Sequence, residues 1–410
     1  MGTTERLYYQ DSHLTEFDAR VVNVTTDAAG RARVTLDRTA FYPTGGGQPS
    51  DTGTLGDARV VECIDEEAAG VVHVVEGAGL SVGARVACRV DWPRRLDHMQ
   101  QHTGQHILSQ AFVRLFDAPT RAFRMLERVS EIDVELREPS SERIEEAVEL
   151  ANRIVWEDRS VRVRHVSPEE AAALPLRKDS ARTGDLRIIE IEDYDLSPCG
   201  GTHAARTGEI GIIAVRSWER AKNLTRLEFL AGGRVLADYR RANTTARSVA
   251  SLFSTGRDDA FESVARALEE NRTLQRRLRT LEEMTARFEA EELLRTATPV
   301  GGGDSHTLIV THAFTDRDAE SLKRLALAIV ARSGHVALLG SRETNARAAR
   351  LVFARAADVP GDMNALMRDA CALLEGRGGG RPDLAQGGGT NVEKLPDALH
   401  TAASRLAATQ

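Results

Sequence analysis

The stretch His102-Thr-Gly-Gln-His106 lies in a segment of helical periodicity, and Cys199-Gly-Gly-Thr-His203 repeats the same four-residue spacing. Helical residues four apart lie on one face, so the first two imidazoles point the same way. The paired glycines of the second stretch permit a tight loop that turns both of its side chains toward one point. One thiol with three imidazoles is a donor set that zinc favours in tetrahedral geometry. Together the two stretches predict one zinc ion per chain, held by His102, His106, Cys199 and His203.

Each pair alone is a weak signal, because histidines four apart are common on helices. The metal-free alternative places His102 and His106 on an amphipathic helix and Cys199 in the core. The combination favours a metal in a chain with only 11 histidines and four cysteines. His98, one turn before His102, is expected to support the site or the fold rather than to bind the ion.

The N-terminal part, residues 1–92, alternates apolar and polar residues in short runs such as Ala32–Leu36 and Arg85–Val90. Several short strands at this spacing predict a small β-barrel. Within it, residues 41–51 read Phe-Tyr-Pro-Thr-Gly-Gly-Gly-Gln-Pro-Ser-Asp, and three glycines with two prolines predict a loop.

Residues 93–240 are predicted to form the α/β domain that carries the zinc motif. Apolar residues recur at helical spacing from Arg94 to about Leu115, and a second helix is predicted from Ser141 to Trp156. Ser140 and Ser141 precede acidic residues, which is typical of a helix N-terminus. Strands are predicted from Glu131, from Arg187 and from Ile210.

The remaining sequence predicts a helical segment, 241–300, and a small C-terminal α/β domain, 301–410. Apolar residues repeat at threes and fours from Phe261 to Leu294, with one broken heptad step near Asn271. A coiled coil and a long helix packed on its own domain are both open readings. A hinge is predicted at 301–304 and a glycine-rich loop at 378–389. The overall class is α+β.

Composition is that of an ordinary globular protein, with 41% hydrophobic and 28% charged residues. The sequence contains no apolar run of about 18 residues, the length that would predict a membrane span. Its N-terminus also shows no apolar core of a signal peptide. We therefore expect a cytoplasmic protein with reduced cysteines. The net charge of −7 argues against non-specific coating of nucleic acid but permits local basic patches.

Three motifs resemble the alanyl-tRNA editing proteins known as AlaX, in their long form. They are His102-Thr-Gly-Gln-His106, the Gly-Gly-Gly-Gln-Pro of the 41–51 loop, and residues 197–211, Ser-Pro-Cys-Gly-Gly-Thr-His-Ala-Ala-Arg-Thr-Gly-Glu-Ile-Gly. The glycine-rich 378–389 segment resembles the C-terminal domain that follows the editing domain in alanyl-tRNA synthetase. The resemblance covers almost the whole chain.

The resemblance implies an activity, a partner and site residues. The family removes serine, and sometimes glycine, wrongly attached to the tRNA for alanine, and its zinc ligands fall on the four residues above. The C-terminal domain is implied to bind tRNA and to assist a homodimer, which the helical segment could also form. The implied substrate contacts are Gln48, Asp51, Thr103, Gln105 and Thr120, and the implied RNA contacts are Arg377, Arg381, Asn391 and Lys394.

The sequence leaves the mechanism and two alternatives open. Zinc could position the substrate or activate water, and the general base is unknown, with the tRNA ribose as one candidate. A non-enzymatic alternative is an RNA-binding protein with a closed structural zinc. The other is an enzyme related to phosphoesterases, for which Asp97-His98 is the only pair of the required kind.

Overall fold

The computed structural model describes residues 4–66, 69–77, 79–178, 184–300, 307–345 and 348–409. The hinge predicted at 301–304 lies outside them. The chain divides into two compact units, Met1–Ser248 and Val249–Gln410. Both mix helices with sheets, so the α+β class is confirmed. No helix among the described residues is both long and apolar enough to span a membrane.

Short strands make up most of the N-terminal ninety residues. Their bounds are β1 Glu5–Arg6, β2 Glu16–Thr26, β3 Ala32–Leu36, β4 Arg38–Thr39, β5 Gly53–Leu55, β6 Ala58–Glu66, β7 Gly70–Glu76 and β8 Arg85–Val90. Six of them close into a barrel in the order β2-β3-β7-β6-β5-β8. The alternation of buried and exposed residues along the strands accounts for the buried layer of the barrel. In β8 every second residue is buried, from Val86 to Val90. The predicted loop at 41–51 runs outside the named strands, as its glycines and prolines indicate.

Helix α1, Trp92–Phe116, is the element that carries the histidines. Pro93 lies in its first turn, and Asp117 ends it in the left-handed conformation with a φ of 50°. The helix is buried on nearly all sides between His98 and Phe112, so its polar residues need partners. Gln101 shows how they find them, since its amide donates to the Ala231 carbonyl and accepts from the Ala231 N–H, both at 2.9 Å.

Two antiparallel sheets complete the first unit around this helix. One has the order β14-β15-β10-β9 and the other β11-β12-β13. Their strands are β9 Thr120–Met125, β10 Ser130–Val134, β11 Val161–Val166, β12 Leu186–Ile191, β13 Asp195–Pro198, β14 Ile213–Ala221 and β15 Leu224–Ala231. The helices of this part are α2 Ser141–Trp156, α3 Pro168–Ala172 and α4 Gly233–Leu252.

Local signals account for most of these bounds. Ser140 caps α2 by accepting a hydrogen bond from the Arg143 N–H at 3.3 Å, as predicted. The strand predicted from Ile210 begins later, at Ile213, because Thr207–Ile210 form a short 3₁₀ turn. Strand β13 ends at Pro198, so Cys199 is the first residue of the loop that follows it.

The second unit is a six-stranded sheet covered by helices. The sheet has the order β16-β17-β18-β19-β21-β20. Its strands are β16 Thr298–Val300, β17 Thr307–Thr315, β18 His335–Glu343, β19 Ala348–Arg355, β20 Arg377–Gly380 and β21 Leu384–Gly389. The helices are α5 Ala260–Leu294, α6 Ala319–Val330, α7 Met363–Leu373 and α8 Leu395–Thr409.

The glycine-rich loop predicted at 378–389 is wrong, because most of this segment forms the antiparallel hairpin β20–β21. The glycines are needed for close packing. A Cβ added to Gly387 would lie 2.4 Å from the Cys371 sulfur of α7, and one on Gly388 would lie 2.2 Å from the Ala349 carbonyl oxygen. Glycine is therefore required where this strand approaches its neighbours.

Candidate metal centre

Two elements bring the four predicted ligands together. Helix α1 presents His102 and His106, and the loop after β13 presents Cys199 and His203. One potential ligand atom from each of the four lies within 4.8 Å of all the others. The Cys199 sulfur is 3.4 Å from Nε2 of His102 and 3.4 Å from Nε2 of His203. This is the one such cluster found among the described residues.

Gly201 makes the approach of the loop to the helix possible. A Cβ at this position would lie 2.2 Å from the His102 ring, well inside van der Waals contact. Gly200 has no such neighbour, since its nearest atom would be the Tyr9 hydroxyl at 3.6 Å. Only the second glycine of Cys-Gly-Gly-Thr-His is therefore required by space.

Each histidine of the cluster has its Nδ1 beside an oxygen of another residue. Nδ1 of His102 is 2.8 Å from Gln48 Oε1, that of His203 is 3.1 Å from Thr103 Oγ1, and that of His106 is 3.2 Å from Asp195 Oδ2. Because these contacts engage Nδ1, Nε2 is the ring nitrogen left for ligation. Such outer contacts fix the tautomer and orientation of metal-binding histidines.

The protonation of the donors fits zinc. Burial alone would raise the pKa of the Cys199 thiol, but His102 and His203 outweigh burial and hold this pKa well below its ordinary value. Burial lowers the pKa of His102, and it lowers that of His203 well below the ordinary value. A thiolate with neutral imidazoles is the form in which these groups bind metals.

Asp195 is held ionised behind His106. Burial would raise its pKa, but the Arg177 guanidinium, 2.7 Å away, and His106 lower it to about 2. A negative charge at this position favours the orientation in which His106 donates from Nδ1. Sequence reasoning missed Asp195, since nothing in its spacing from the ligands marks it as their partner.

Gln48 and Thr103, both predicted substrate contacts, lie against two histidines of the cluster. Gln48 is 1% exposed and, besides contacting His102, donates to the Thr202 hydroxyl at 2.8 Å. Thr103 is fully buried between His203 and the backbone N–H of Ala204, which donates to its hydroxyl at 3.1 Å. Their observed contacts are those of residues that orient ligands.

Asp51 is not at the site. It is fully buried, pairs with the equally buried Arg95 at 2.5 Å and accepts from the Tyr42 N–H at 2.7 Å. These bonds hold the 41–51 loop in place, and the residue does not line the cavities beside the cluster.

A cavity of about 480 Å³ opens beside the cluster. His102 and Cys199 line it, together with the predicted substrate contacts Gln105 and Thr120. Both of these donate to the hydroxyl of Ser109, at 2.7 Å each. The wall therefore carries a row of polar groups next to the ligands. Ser109 was missed because it is an isolated serine in the sequence.

The predicted RNA contacts lie in the second unit, and three of the four already face an acidic side chain. Arg381 pairs with Asp383 at 3.2 Å and Lys394 with Asp397 at 2.9 Å, while the Asn391 amide donates to Glu375 at 3.1 Å. Arg377 is exposed at the start of β20.

The Asp97-His98 pair shows no metal-binding arrangement. Asp97 forms a salt bridge with Arg234 at 2.7 Å. His98 is buried, and burial lowers its pKa to about 4. Neither belongs to the cluster.

Three known families match parts of the chain. A family described as tRNA synthetases class II (A) matches residues 2–94. The threonyl and alanyl tRNA synthetase second additional domain matches residues 186–228, and the DHHA1 domain matches 307–408. The alanyl-tRNA editing protein AlaX-L of Pyrococcus horikoshii is 32% identical over 96% of this chain and 96% of its own length. The chain belongs to the AlaX family. The predicted resemblance is thereby confirmed.

Two alanine–tRNA ligases that resemble the chain are larger proteins. The alanine–tRNA ligase of Pyrobaculum neutrophilum is 35% identical over 94% of this chain but only 42% of its own length. That of Halobacterium salinarum is 34% identical over 98% of this chain and 44% of its own. The chain thus spans less than half of these ligases. The solved C-Ala domain from Aquifex aeolicus alanyl-tRNA synthetase aligns with 27% of this chain and 97% of its own at 26% identity, with a TM-score of 0.24.

Proposed function

We propose that this AlaX chain is a zinc-dependent deacylase that hydrolyses the ester of mischarged tRNA(Ala). The substrate we assign first is tRNA(Ala) carrying serine, and the second is the same tRNA carrying glycine. The observation that carries the proposal is that two members of the cluster, His102 and Cys199, line a cavity whose wall also carries Gln105 and Thr120. The AlaX-L relative, named as an alanyl-tRNA editing protein, supports it.

The four clustered residues would hold the ion through three Nε2 atoms and one thiolate. When bound, zinc can polarise an ester carbonyl or lower the pKa of a water molecule. Gln48, Thr103 and Asp195 keep the three imidazoles in one tautomer and one orientation, so that the donors need no rearrangement. None of these imidazoles is free to act as general base, and we assign that role to the ribose hydroxyl next to the ester.

Gln105, Ser109 and Thr120 are the side chains we assign to the amino acid. Thr120 donates to Ser109, which leaves its own oxygen able to accept a hydrogen bond from a serine hydroxyl. Alanine lacks that hydroxyl and would leave the group unpaired, and such sites discriminate strongly. Glycine is small enough to enter the cavity but has no hydroxyl to donate to Thr120. We therefore expect it to be removed more slowly than serine.

We assign tRNA binding to both units. Arg377, Arg381, Asn391 and Lys394 are the proposed RNA contacts of the second unit, where phosphates would have to displace three existing acidic partners. A homodimer through the helical segment or the C-terminal domain is part of the same proposal. The four segments 1–92, 93–240, 241–300 and 301–410 are its domain assignment.

The alternative of a closed structural zinc in an RNA-binding protein makes a different prediction. A structural site is expected to be buried on all sides, whereas Cys199 is half-buried and lines the cavity. The phosphoesterase alternative lacks support, because Asp97 is paired with Arg234.

Deacylation of tRNA(Ala) charged with serine, glycine or alanine tests the proposal. Zinc-loaded protein should release serine fastest, glycine more slowly and alanine least. Cys199→Ala and His102→Ala should abolish release and lower zinc below one ion per chain. Retained activity without metal would contradict the zinc assignment. A folded, zinc-loaded protein that releases none of the three would contradict the deacylase assignment.

A further inference from the structure

The cavity beside the cluster has a basic wall. Four cationic side chains and one carboxylate, Asp185, line it. Two of the four cations are neutralised, because Arg121 pairs with Glu135 at 2.7 Å and Arg177 with Asp195 at 2.7 Å. Among the described residues, no carboxylate lies within ion-pair distance of the other two, Lys178 and Arg187. Neither of these two side chains therefore has an ion-pair partner in the part of the chain that the structure describes.

Arg187 is the more unusual of the two, because it is only 9% exposed. Its Nη1 donates to the carbonyls of Cys199 at 2.7 Å and Gly201 at 3.0 Å, and its Nε donates to the Tyr9 carbonyl at 3.2 Å. Its Nη2 has no hydrogen-bond partner among the described residues. A buried guanidinium ordinarily has an anionic partner, since burying an unpaired charge is costly.

The thiolate of Cys199 does not fill that need once the site is loaded. A divalent ion with one thiolate and neutral imidazoles keeps a net positive charge, so the loaded cluster repels the guanidinium. Lys178 is exposed and lines the same cavity as Arg187. The missing partner is therefore an anion that arrives with the substrate.

We propose that Lys178 and Arg187 bind the last phosphodiester of the RNA, the one that precedes the terminal nucleoside bearing the amino acid. This rests on the proposed function and adds how the RNA end is held beside the cluster. Arg187 offers a guanidinium held in place by three backbone carbonyls, whose buried Nη2 lacks a partner among the described residues, and exposed Lys178 offers a mobile point charge at the rim. One phosphate bound there would fix the distance between the RNA backbone and the ester.

The test measures binding of RNA that carries no amino acid to the full-length, zinc-loaded protein. A fluorescent acceptor-stem hairpin ending in CCA is compared by anisotropy with the same hairpin carrying a neutral methylphosphonate in its last linkage. Wild-type protein should bind the neutral form about tenfold more weakly, as expected for a lost charge-assisted contact. Lys178→Gln should weaken binding of the natural RNA several-fold and add almost nothing on the neutral one.

Salt dependence and a matched control sharpen the test. Lys178→Gln should reduce the slope of log affinity against log salt by about 0.7, the value for one single-strand phosphate contact. Lys222→Gln removes the same charge from the exposed β14–β15 turn and should change neither affinity nor slope. Arg187→Lys, which keeps the charge but loses the fork, should also lose the discrimination between the two RNAs.

Equal binding of the two RNAs by wild-type protein would overturn the phosphate site. So would a Lys178→Gln variant that weakens both RNAs equally. Because the RNA carries no amino acid, these outcomes are independent of ester hydrolysis. Discrimination between the two RNAs without deacylation would contradict the proposed function and still support the phosphate site. Deacylation without discrimination would sink the phosphate site alone.

Discussion

Gly201 is the residue whose size matters most at the cluster. Gly201→Ala would place a methyl group 2.2 Å from the His102 ring, so the imidazole or the loop must move. We expect the variant to bind zinc at least tenfold more weakly and to lose deacylation. Gly200→Ala is the matched control, because its new methyl group would meet its nearest atom at 3.6 Å. Elemental analysis after dialysis against a mild chelator separates them, and a fully zinc-loaded Gly201→Ala protein would contradict the geometry.

Gln48 and Gln105 are two glutamines near the cluster with different expected roles. Gln48 contacts His102, so Gln48→Ala should lower zinc affinity by about 10- to 100-fold, the usual cost of losing an outer contact. Gln105 contacts Ser109 in the cavity wall, so Gln105→Ala should lower the deacylation rate with zinc unchanged. Zinc titration and single-turnover deacylation of both variants decide the assignment. Unchanged zinc affinity in Gln48→Ala would indicate that Gln48 contacts the substrate rather than supporting the metal site.

At this scale the clustering of His102, His106, Cys199 and His203 could be predicted, but the contacts of the neighbouring residues could not. Four-residue spacing on a helix and in a glycine loop gives direction to a side chain, and the cluster follows from it. Gln48 lies in the 41–51 loop, and no pattern within that loop indicates that it contacts α1. Asp51, three residues on, points instead to Arg95. Such contacts depend on packing between distant elements.

The barrel contains a buried histidine that makes its stability pH-dependent. His73 on β7 hydrogen-bonds with the Thr39 hydroxyl at 2.8 Å and the Val34 carbonyl at 3.0 Å. Burial lowers its pKa from 6.5 to about 4. The unfolded chain therefore binds more protons than the folded one between these values. Stability contributed by neutral His73 is complete above pH 6.5 and falls as pH drops, by about 1.4 kcal/mol per unit.

His73→Gln removes this titration. The variant should be less stable than wild type at pH 7, and the difference should shrink by about 2 kcal/mol between pH 6.5 and 5. Urea unfolding at both pH values measures it, and the metal ligands, common to both proteins, cancel. His165→Gln, the same substitution at an exposed position, is the control. A constant difference between wild type and His73→Gln would contradict a neutral buried histidine.

Helix α5 exposes the apolar row that predicted a coiled coil. More than half of each of its leucine side chains Leu268, Leu274, Leu278 and Leu281 is exposed. Another part of the helix packs on α6, where Ala290 is buried and Glu282 pairs with Arg324 at 2.9 Å. The leucines are therefore available to a second chain.

Replacing Leu274 and Leu278 together by serine should convert a dimer into a monomer in sedimentation equilibrium at micromolar concentration. Serine at Arg276 and Arg277 on the same helix is the control and should leave the dimer intact. A monomeric wild-type protein would contradict the pairing.

The periodicity of the sequence predicted elements such as β8 and α5, but it did not predict the glycine-rich hairpin β20–β21. Alternation in β8 and helical spacing in α5 are local patterns, and both elements formed where expected. In β20–β21 the glycines look like turn residues, but they are there because α7 and β19 pack too closely for side chains. This requirement belongs to the neighbouring elements and is invisible in the segment itself.

For the whole molecule, the division into two units is sharper than the sequence indicates. The four clustered residues, the oxygens that contact their histidines and the cavity all lie in Met1–Ser248, although they come from the 41–51 loop, α1, the loop after β13 and several strands, among them β9, β12 and β13. Composition shows no break at Ser248, because α4 continues across it as a polar helix. Only the contacts separate the units.

A chain ending at Leu252, the end of α4, should retain one zinc ion and the maximal rate of deacylation. The second unit contributes no ligand or cavity residue to the described site, so its removal should weaken tRNA binding without altering the chemistry. We expect a half-saturating tRNA concentration about tenfold higher in single-turnover assays, and a shallower salt dependence because the proposed phosphate contacts at Arg377, Arg381 and Lys394 would be lost. The matched full-length control replaces these three residues by glutamine and should move half-saturation in the same direction. An unchanged half-saturation point would show that the second unit does not hold tRNA. A lower maximal rate in a folded, zinc-loaded truncation would show that the second unit takes part in the chemistry.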